Sequence, residues 1–209
     1  MPTAPDTRIK AFEGWRLLFL LAAIIVLGTL ALVYLAGGDV AAVRLAIRNT
    51  ARSSLLLFLL AFGASALHRV WRGAWTGWLL RNRRYLGLGF VVSHLTHAAV
   101  VTTLAVIAPA QFYELTQPAA FILGGTTYVF ILLLAATSFD RTAAWLGPRR
   151  WRALHLVGTH MIWLNFLISE GRRVPQDPRY WGFVVPLLAV MALRLYARRV
   201  RARRPLAAQ

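Results

Sequence analysis

The sequence predicts an all-α membrane protein, a bundle of six transmembrane helices with both termini in the cytoplasm. Three observations lead there. The 209-residue chain is 58% hydrophobic with a mean hydropathy of +0.58, and its apolar residues gather into runs near the length of about 20 needed to cross a hydrocarbon core as a helix. Its 24 basic residues, all arginine except Lys10, stand against 7 acidic ones and cluster at the ends of those runs. The connections between runs are short and leave no room for a soluble domain.

The first span is expected at residues 15–36. It exceeds the roughly 7–15 residues of a signal-peptide core, so it reads as a retained span. The second is expected at 53–67, the third at 85–108, the fourth at 118–139 and the fifth at 151–169. The sixth is expected at 181–196, bent at Pro186. Residues 37–52 carry Val40, Val43, Leu45 and Ile47 near helical spacing and read as an amphipathic helix on the membrane face. The chain thus divides into a cytoplasmic segment (1–14), the six-helix domain (15–200) and a disordered Pro- and Arg-rich cytoplasmic tail (201–209).

Orientation follows from charge, because cytoplasmic loops of membrane proteins collect Lys and Arg. With the N-terminus inside, 18 of the 24 basic residues fall on the inner side, and the outer side keeps Arg44, Arg48, Arg52, Arg172, Arg173 and Arg179. A net charge of +17 in a soluble protein would suggest a nucleic-acid partner. Here topology accounts for it, so the bilayer is the partner and nucleic acid is not. There is no cysteine, which excludes disulfides, iron–sulfur clusters, thiolate ligation of haem and covalent c-type attachment.

Four of the five histidines lie within predicted spans: His94 and His97 in the third, His155 and His160 in the fifth. Ionisable side chains in hydrocarbon are costly and mark functional sites by default, and imidazole is a good axial ligand for haem iron. His94 and His97 share one helix face with Gly87, Phe90 and Val101, and the small Gly87 would admit a flat macrocycle or a neighbouring helix. His155 and His160 stand about 140° apart around an ideal helix. The pairs differ in height by only about 4.5 Å and 7.5 Å at 1.5 Å per residue. That spacing points to one b-type haem between the third and fifth spans rather than two stacked haems. A bare zinc site would call for close-set ligands and often a carboxylate, which these spans lack. A lone histidine in a span can equally serve an interhelical hydrogen bond.

His68 closes the second span. It reads either as an interfacial residue or as a contact for quinone, a haem propionate or a second iron. Arg81, Arg83 and Arg84 read either as topology determinants or as bidentate partners of haem propionates.

At these residues the chain resembles the ferric reductase-like transmembrane family, most closely its haem-binding membrane subunit of the periplasmic methionine sulfoxide reductase system (MsrQ type). The likeness covers about residues 47–168. It is carried by Ile47-Arg48-Asn49-Thr50-Ala51-Arg52, by Arg83-Arg84-Tyr85-Leu86-Gly87-Leu88, and by Trp151-Arg152-Ala153-Leu154-His155 after Leu146-Gly147. The resemblance implies haem ligation at the positions of His97 and His155. It also implies a further ligand at a position held here by Ile168, which cannot bind iron; His160 and His94 then stand as replacements.

The expected function is that of a haem b electron-transfer subunit of an oxidoreductase in the bacterial inner membrane. Quinol or a separate reductase would be the donor, and a periplasmic partner protein or ferric iron the acceptor. No flavin or nicotinamide domain is expected in this chain, since no Gly-x-Gly-x-x-Gly fingerprint is present. The alternative is a non-redox transporter or assembly factor with structural or metal-binding histidines, for which helices interrupted at Gly or Pro would speak. Gly124-Gly125 is the interruption the sequence offers.

Overall fold

The computed structural model describes residues 12–116 and 118–202, and every regular element among them is helical. The N-terminal segment before Phe12 and the tail after Ala202, both assigned to the cytoplasm by sequence, lie outside the described residues. The long helices are α1 (Gly14–Leu35), α2 (Val40–Val70), α3 (Ala74–Ile107), α5 (Pro118–Ala136), α7 (Pro148–Gly171) and α8 (Trp181–Ala202). Two seven-residue helices, α4 (Pro109–Leu115) and α6 (Asp140–Leu146), and a 3₁₀ turn (Pro178–Tyr180) connect them.

Four helices are long and apolar enough to cross a membrane: α1, α2, α3 and the segment Pro178–Val200. The count becomes five if Phe121–Ala136 and Asp140–Leu146, bent by 107°, form one broken span. The six expected spans each coincide with a long helix, but α7 falls below that apolar threshold because His155, His160, Asn165 and Glu170 interrupt its apolar run.

The expected surface helix at 37–52 is corrected. Residues 40–70 form one continuous helix, about 46 Å long at 1.5 Å per residue. The reason lies in packing. Val43 and Ala46 are buried against Val100 and Leu104 of α3, so the apolar stripe meets another helix rather than lipid. Asp39 starts the helix, its side chain accepting from the Ala42 amide at 2.8 Å, a standard N-cap. Gly37 and Gly38, both at positive φ, supply the left-handed turn before it.

α2 and α3 form the central antiparallel hairpin, closed at the Arg-rich end by Trp71 to Gly73. α1 packs on α3, α8 packs on α2, and α5 pairs with α7 on the other flank. The start of α1 is fixed by buried Asn82, whose Oδ1 accepts from the Gly14 amide at 2.9 Å. Glycines set three close approaches, the tightest at Gly63, where a Cβ would stand 2.9 Å from Val190. A Cβ on Gly89 would stand 3.1 Å from Leu21, and one on Gly158 would stand 3.0 Å from Leu134, consistent with small residues at packed membrane helices. α8 runs unbroken through Pro186. Its Trp163 contact is an indole N–H donated to the Leu187 carbonyl at 2.9 Å. Outside the bundle, Asp177 accepts both the backbone N–H and the Nε–H of Arg179 at 3.0 Å, which holds its carboxyl below the usual carboxylate range.

Exposed aromatics mark two ends. Trp15, Trp71, Trp75 and Trp145 are exposed at the Arg-rich end, and Tyr34, Tyr113 and Trp181 at the other. This distribution matches the aromatic belts of membrane interfaces. Between them, Phe19, Ile24, Leu27 and Leu30 of α1 face outward.

Candidate functional site

The histidines occupy distinct tiers. His94 is 8% exposed and lies within a ring cluster: His97 at 5.4 Å between centroids, Tyr128 at 5.0 Å, Phe90 at 5.4 Å and Phe166 at 5.8 Å. Tyr128 also donates its hydroxyl to the His94 carbonyl at 3.1 Å. His155 lies lower, with Nε2 3.1 Å from Thr137 Oγ1 and its ring stacked on Trp151 at 4.2 Å. Two helices measure the offset. Tyr128 and Thr137 are nine residues apart, about 13 Å of helix, and Phe166 and His155 eleven apart, about 16 Å. Two imidazole nitrogens on one metal stand about 4 Å apart, at bonds of about 2 Å each. His94 and His155 therefore do not face a common iron, and His97, stacked beside His94, shares its tier. His160 lies between the tiers, edge-on to Phe62 at 5.6 Å.

The hydrogen bonds settle which ring nitrogens are committed. His160 Nδ1 lies 2.6 Å from the Leu156 carbonyl. A carbonyl only accepts, so Nδ1 carries the proton and Nε2 keeps its lone pair. His97 Nδ1 likewise donates, to the Ile47 carbonyl (3.2 Å) and to Thr50 Oγ1 (3.0 Å), whose own proton is spent on the Ala46 carbonyl at 2.8 Å. His68 Nδ1 donates to Thr76 Oγ1 at 3.1 Å, since that hydroxyl donates to the Trp71 carbonyl. At His155 the pattern reverses. Thr137 Oγ1 donates to the Leu133 carbonyl at 2.7 Å, so Nε2–H is the donor and Nδ1 keeps the lone pair. His94 Nδ1 is buried without a partner. Backbone-anchored Nδ1–H with a free Nε2 is the tautomer that metal-ligating histidines commonly adopt.

Around the His94 tier the bundle is polar and closed. Ser53, Ser54 and Ser93 join their hydroxyls at 2.8 and 2.9 Å. Glu170, itself buried, lies 3.8 Å from Arg173.

A cavity of about 760 Å³ opens below, between the α2–α3 hairpin and the α5–α7 pair. Its walls are apolar and aromatic, with Phe58, Phe62, Phe90, Ile131 and Ile162 among them, and His155 is the histidine on its lining. Gly87 lines it too, and a Cβ there would meet nothing within 4 Å. Of the two occupants that Gly87 was expected to admit, no neighbouring helix approaches it. The mouth carries Arg83, Arg84, Arg152 and Arg194. Arg84 pairs with Asp140 at 3.0 Å, Arg83 donates to Ser65, and Arg194 donates to the Phe62 carbonyl while stacking 3.9 Å over the Phe62 ring.

The structure thus brings His155, Gly87, Arg83 and Arg84 together and leaves His94, His97 and His160 off the cavity lining. Arg81 is turned to Glu13 at 2.8 Å, and His68 is held by Thr76 at the hairpin turn. Trp151 and Arg152 entered the sequence reading only as part of the motif before His155, and Arg194 only as a charge at the inner side. Arg194 carried a signal, an arginine inside a predicted span, which topology alone had absorbed. Among the described residues no three His, Asp or Glu side chains converge on a site for a bare metal ion. α5 is unbroken through Gly124 and Gly125, so the interruption expected of a transporter does not occur there.

The lining fits a b-type haem. An amphipathic, flat, dianionic group asks for apolar walls, an imidazole and guanidinium groups at the open end; the lining has these, with open space over Gly87, in a volume within the roughly 300–1,000 Å³ of small-molecule sites. No protein-family model, no curated protein and no solved structure matches this chain.

Proposed function

We propose that this chain is a multi-pass membrane electron-transfer protein for one b-type haem in the cavity at the Arg-rich end, where His155 would hold the iron. The observation that carries the reading is the make-up of that cavity: one imidazole, a bare Gly87 and a rim of guanidiniums around apolar walls. Bound there, haem would supply one-electron chemistry at a potential set by its axial ligand and surroundings.

The chain's own residues have separable tasks. His155 presents a neutral imidazole stacked on Trp151, and binding iron through Nε2 would require it to release the hydrogen bond to Thr137. Arg83 and Arg152 offer bidentate partners to carboxylates at the mouth, while the phenylalanines exclude water. The resemblance to ferric reductase-like membrane subunits supports the same reading through the position of His155. The tiers favour His155 over His94 and His97, which pack above the cavity, and over His160, which lies between the tiers and off the lining.

On this reading α5 and α7 also span, giving six spans with the Arg-rich end in the cytoplasm of a bacterial inner membrane. Electrons would enter from quinol or a separate reductase and leave to a periplasmic partner or ferric iron. Absorption spectra of the purified protein, oxidised and dithionite-reduced, test the proposal. A sharp reduced α-band of the b type is the expected result. A colourless preparation from haem-replete cells would sink the idea.

A further inference from the structure

The end of the bundle remote from the cavity is stepped. Gly63 of α2 and Val190 of α8 touch, and so do Arg52 and Phe183, so the two helices run side by side in the same direction. α8 begins at Trp181, nine residues before Val190, level with about Ser54 of α2. From there α2 continues outward to Val40, about 21 Å further at 1.5 Å per residue. On that projecting length Arg44, Arg48 and Arg52 recur at four-residue intervals and are exposed. They form one stripe, about 12 Å along the helix and about 80° around it. At its foot Arg52 stacks 5.5 Å over the Phe183 ring, Phe183 lies 5.8 Å from Tyr180, and Arg173 stacks 5.5 Å over Tyr180. The stripe thus runs down to a floor of guanidiniums and aromatic rings.

None of the three stripe arginines is ion-paired among the described residues. Charge topology does not account for them, because it gathers arginine at the opposite end. At the same height the other side of α2 packs on Leu32 and Val33 of α1, and α1 exposes Leu30, Tyr34 and Leu35, a surface of the kind that faces lipid. Arginines at membrane height pair with a partner or line water. The extent of the stripe selects the partner. Phosphates of one leaflet lie at one height and meet one arginine of a stripe about 12 Å tall. A helix with carboxylates at four-residue spacing repeats the same step of about 6 Å and meets all three.

We infer that Arg44, Arg48 and Arg52 seat an acidic helix of a partner protein, lying along α2 on the step above the start of α8. Charge complementarity of this kind fixes register and rejects wrong partners. The inference is independent of haem, and its failure would leave the reading of the cavity untouched.

The test places the full chain in phosphatidylcholine nanodiscs and titrates it into a fluorescein-labelled, alanine-based peptide of about 24 residues, long enough to be helical alone. One peptide carries glutamates at i, i+4 and i+8. Its isomer carries them at i, i+5 and i+10, which scatters them around the helix. Fluorescence anisotropy is expected to show tighter binding of the first peptide. The double variant Arg44→Gln/Arg48→Gln, on exposed side chains, should weaken that binding roughly tenfold, and Arg48→Gln alone roughly threefold, the contribution of exposed charge pairs. The charge-matched control Arg149→Gln/Arg150→Gln, at the exposed start of α7, should leave it unchanged. Equal affinity for the two peptides would overturn the inference, and so would equal loss in both double variants, which would mean a diffuse field. Retention of phosphatidylglycerol in native mass spectrometry that depends on Arg44 and Arg48 would assign the stripe to lipid and overturn it too.

Discussion

His155 and His94 stand about 13–16 Å apart along the bundle axis, at 1.5 Å per helical residue, one tied to Thr137 beside the cavity and the other enclosed by Tyr128, Phe90 and Phe166 above it. This offset divides four intramembrane histidines into a cavity residue and a packing group. The predictions below follow from that division.

His94→Phe should keep the haem and raise stability. Its Nδ1 is buried without a partner, an arrangement that costs about 1–3 kcal/mol. Phenylalanine fits among the surrounding rings without that penalty. Chemical denaturation in detergent, followed by circular dichroism, reads the change. A loss of haem in this variant would return His94 to the ligand set.

Gly87→Leu should fold and lose haem uptake. A side chain at Gly87 enters open cavity rather than a neighbour, and leucine is the better helix former by roughly 1 kcal/mol. Helicity should therefore hold or increase while the haem-to-protein ratio falls. Unchanged haem content would show that the macrocycle does not lie against this face.

Gly158→Val should destabilise the α5–α7 pair. Even a Cβ at this position stands 3.0 Å from Leu134, and overpacking a tight contact costs about 1–3 kcal/mol. Because Leu134 lines the cavity, haem affinity should fall with stability. Parallel measurement of the melting transition and of haem release checks the coupling.

Asp39→Ala removes the side-chain cap of α2 and should cost about 1 kcal/mol with no effect on haem content. Asp39 lies at the end of the bundle remote from the cavity.

Much of the fold was legible because apolar run length and charge placement act locally. α1 begins and ends within one residue of expectation, α8 begins where expected but runs six residues further, to Ala202, and each long helix falls on an expected span. The continuous α2 was not legible. Val43 and Ala46 show helical spacing whether they meet lipid or α3, and only the partner decides between a surface helix and an extension. The histidine tiers were hidden for a related reason. Spacing gives height within one helix but not the offset between α3 and α7, which is set by the Tyr128 and Thr137 contacts from α5. Arg194 escaped because a charge near a span end has a sufficient topological explanation until its stacking on Phe62 is seen.

The haem content of His155→Ala against His97→Ala tests the central claim most directly. Both proteins are purified from haem-replete cells and assayed by the reduced-minus-oxidised spectrum per mole of protein. The account predicts that His155→Ala is haem-free and that His97→Ala retains the wild-type complement. The reverse result, haem kept without His155 and lost without His97, would contradict it.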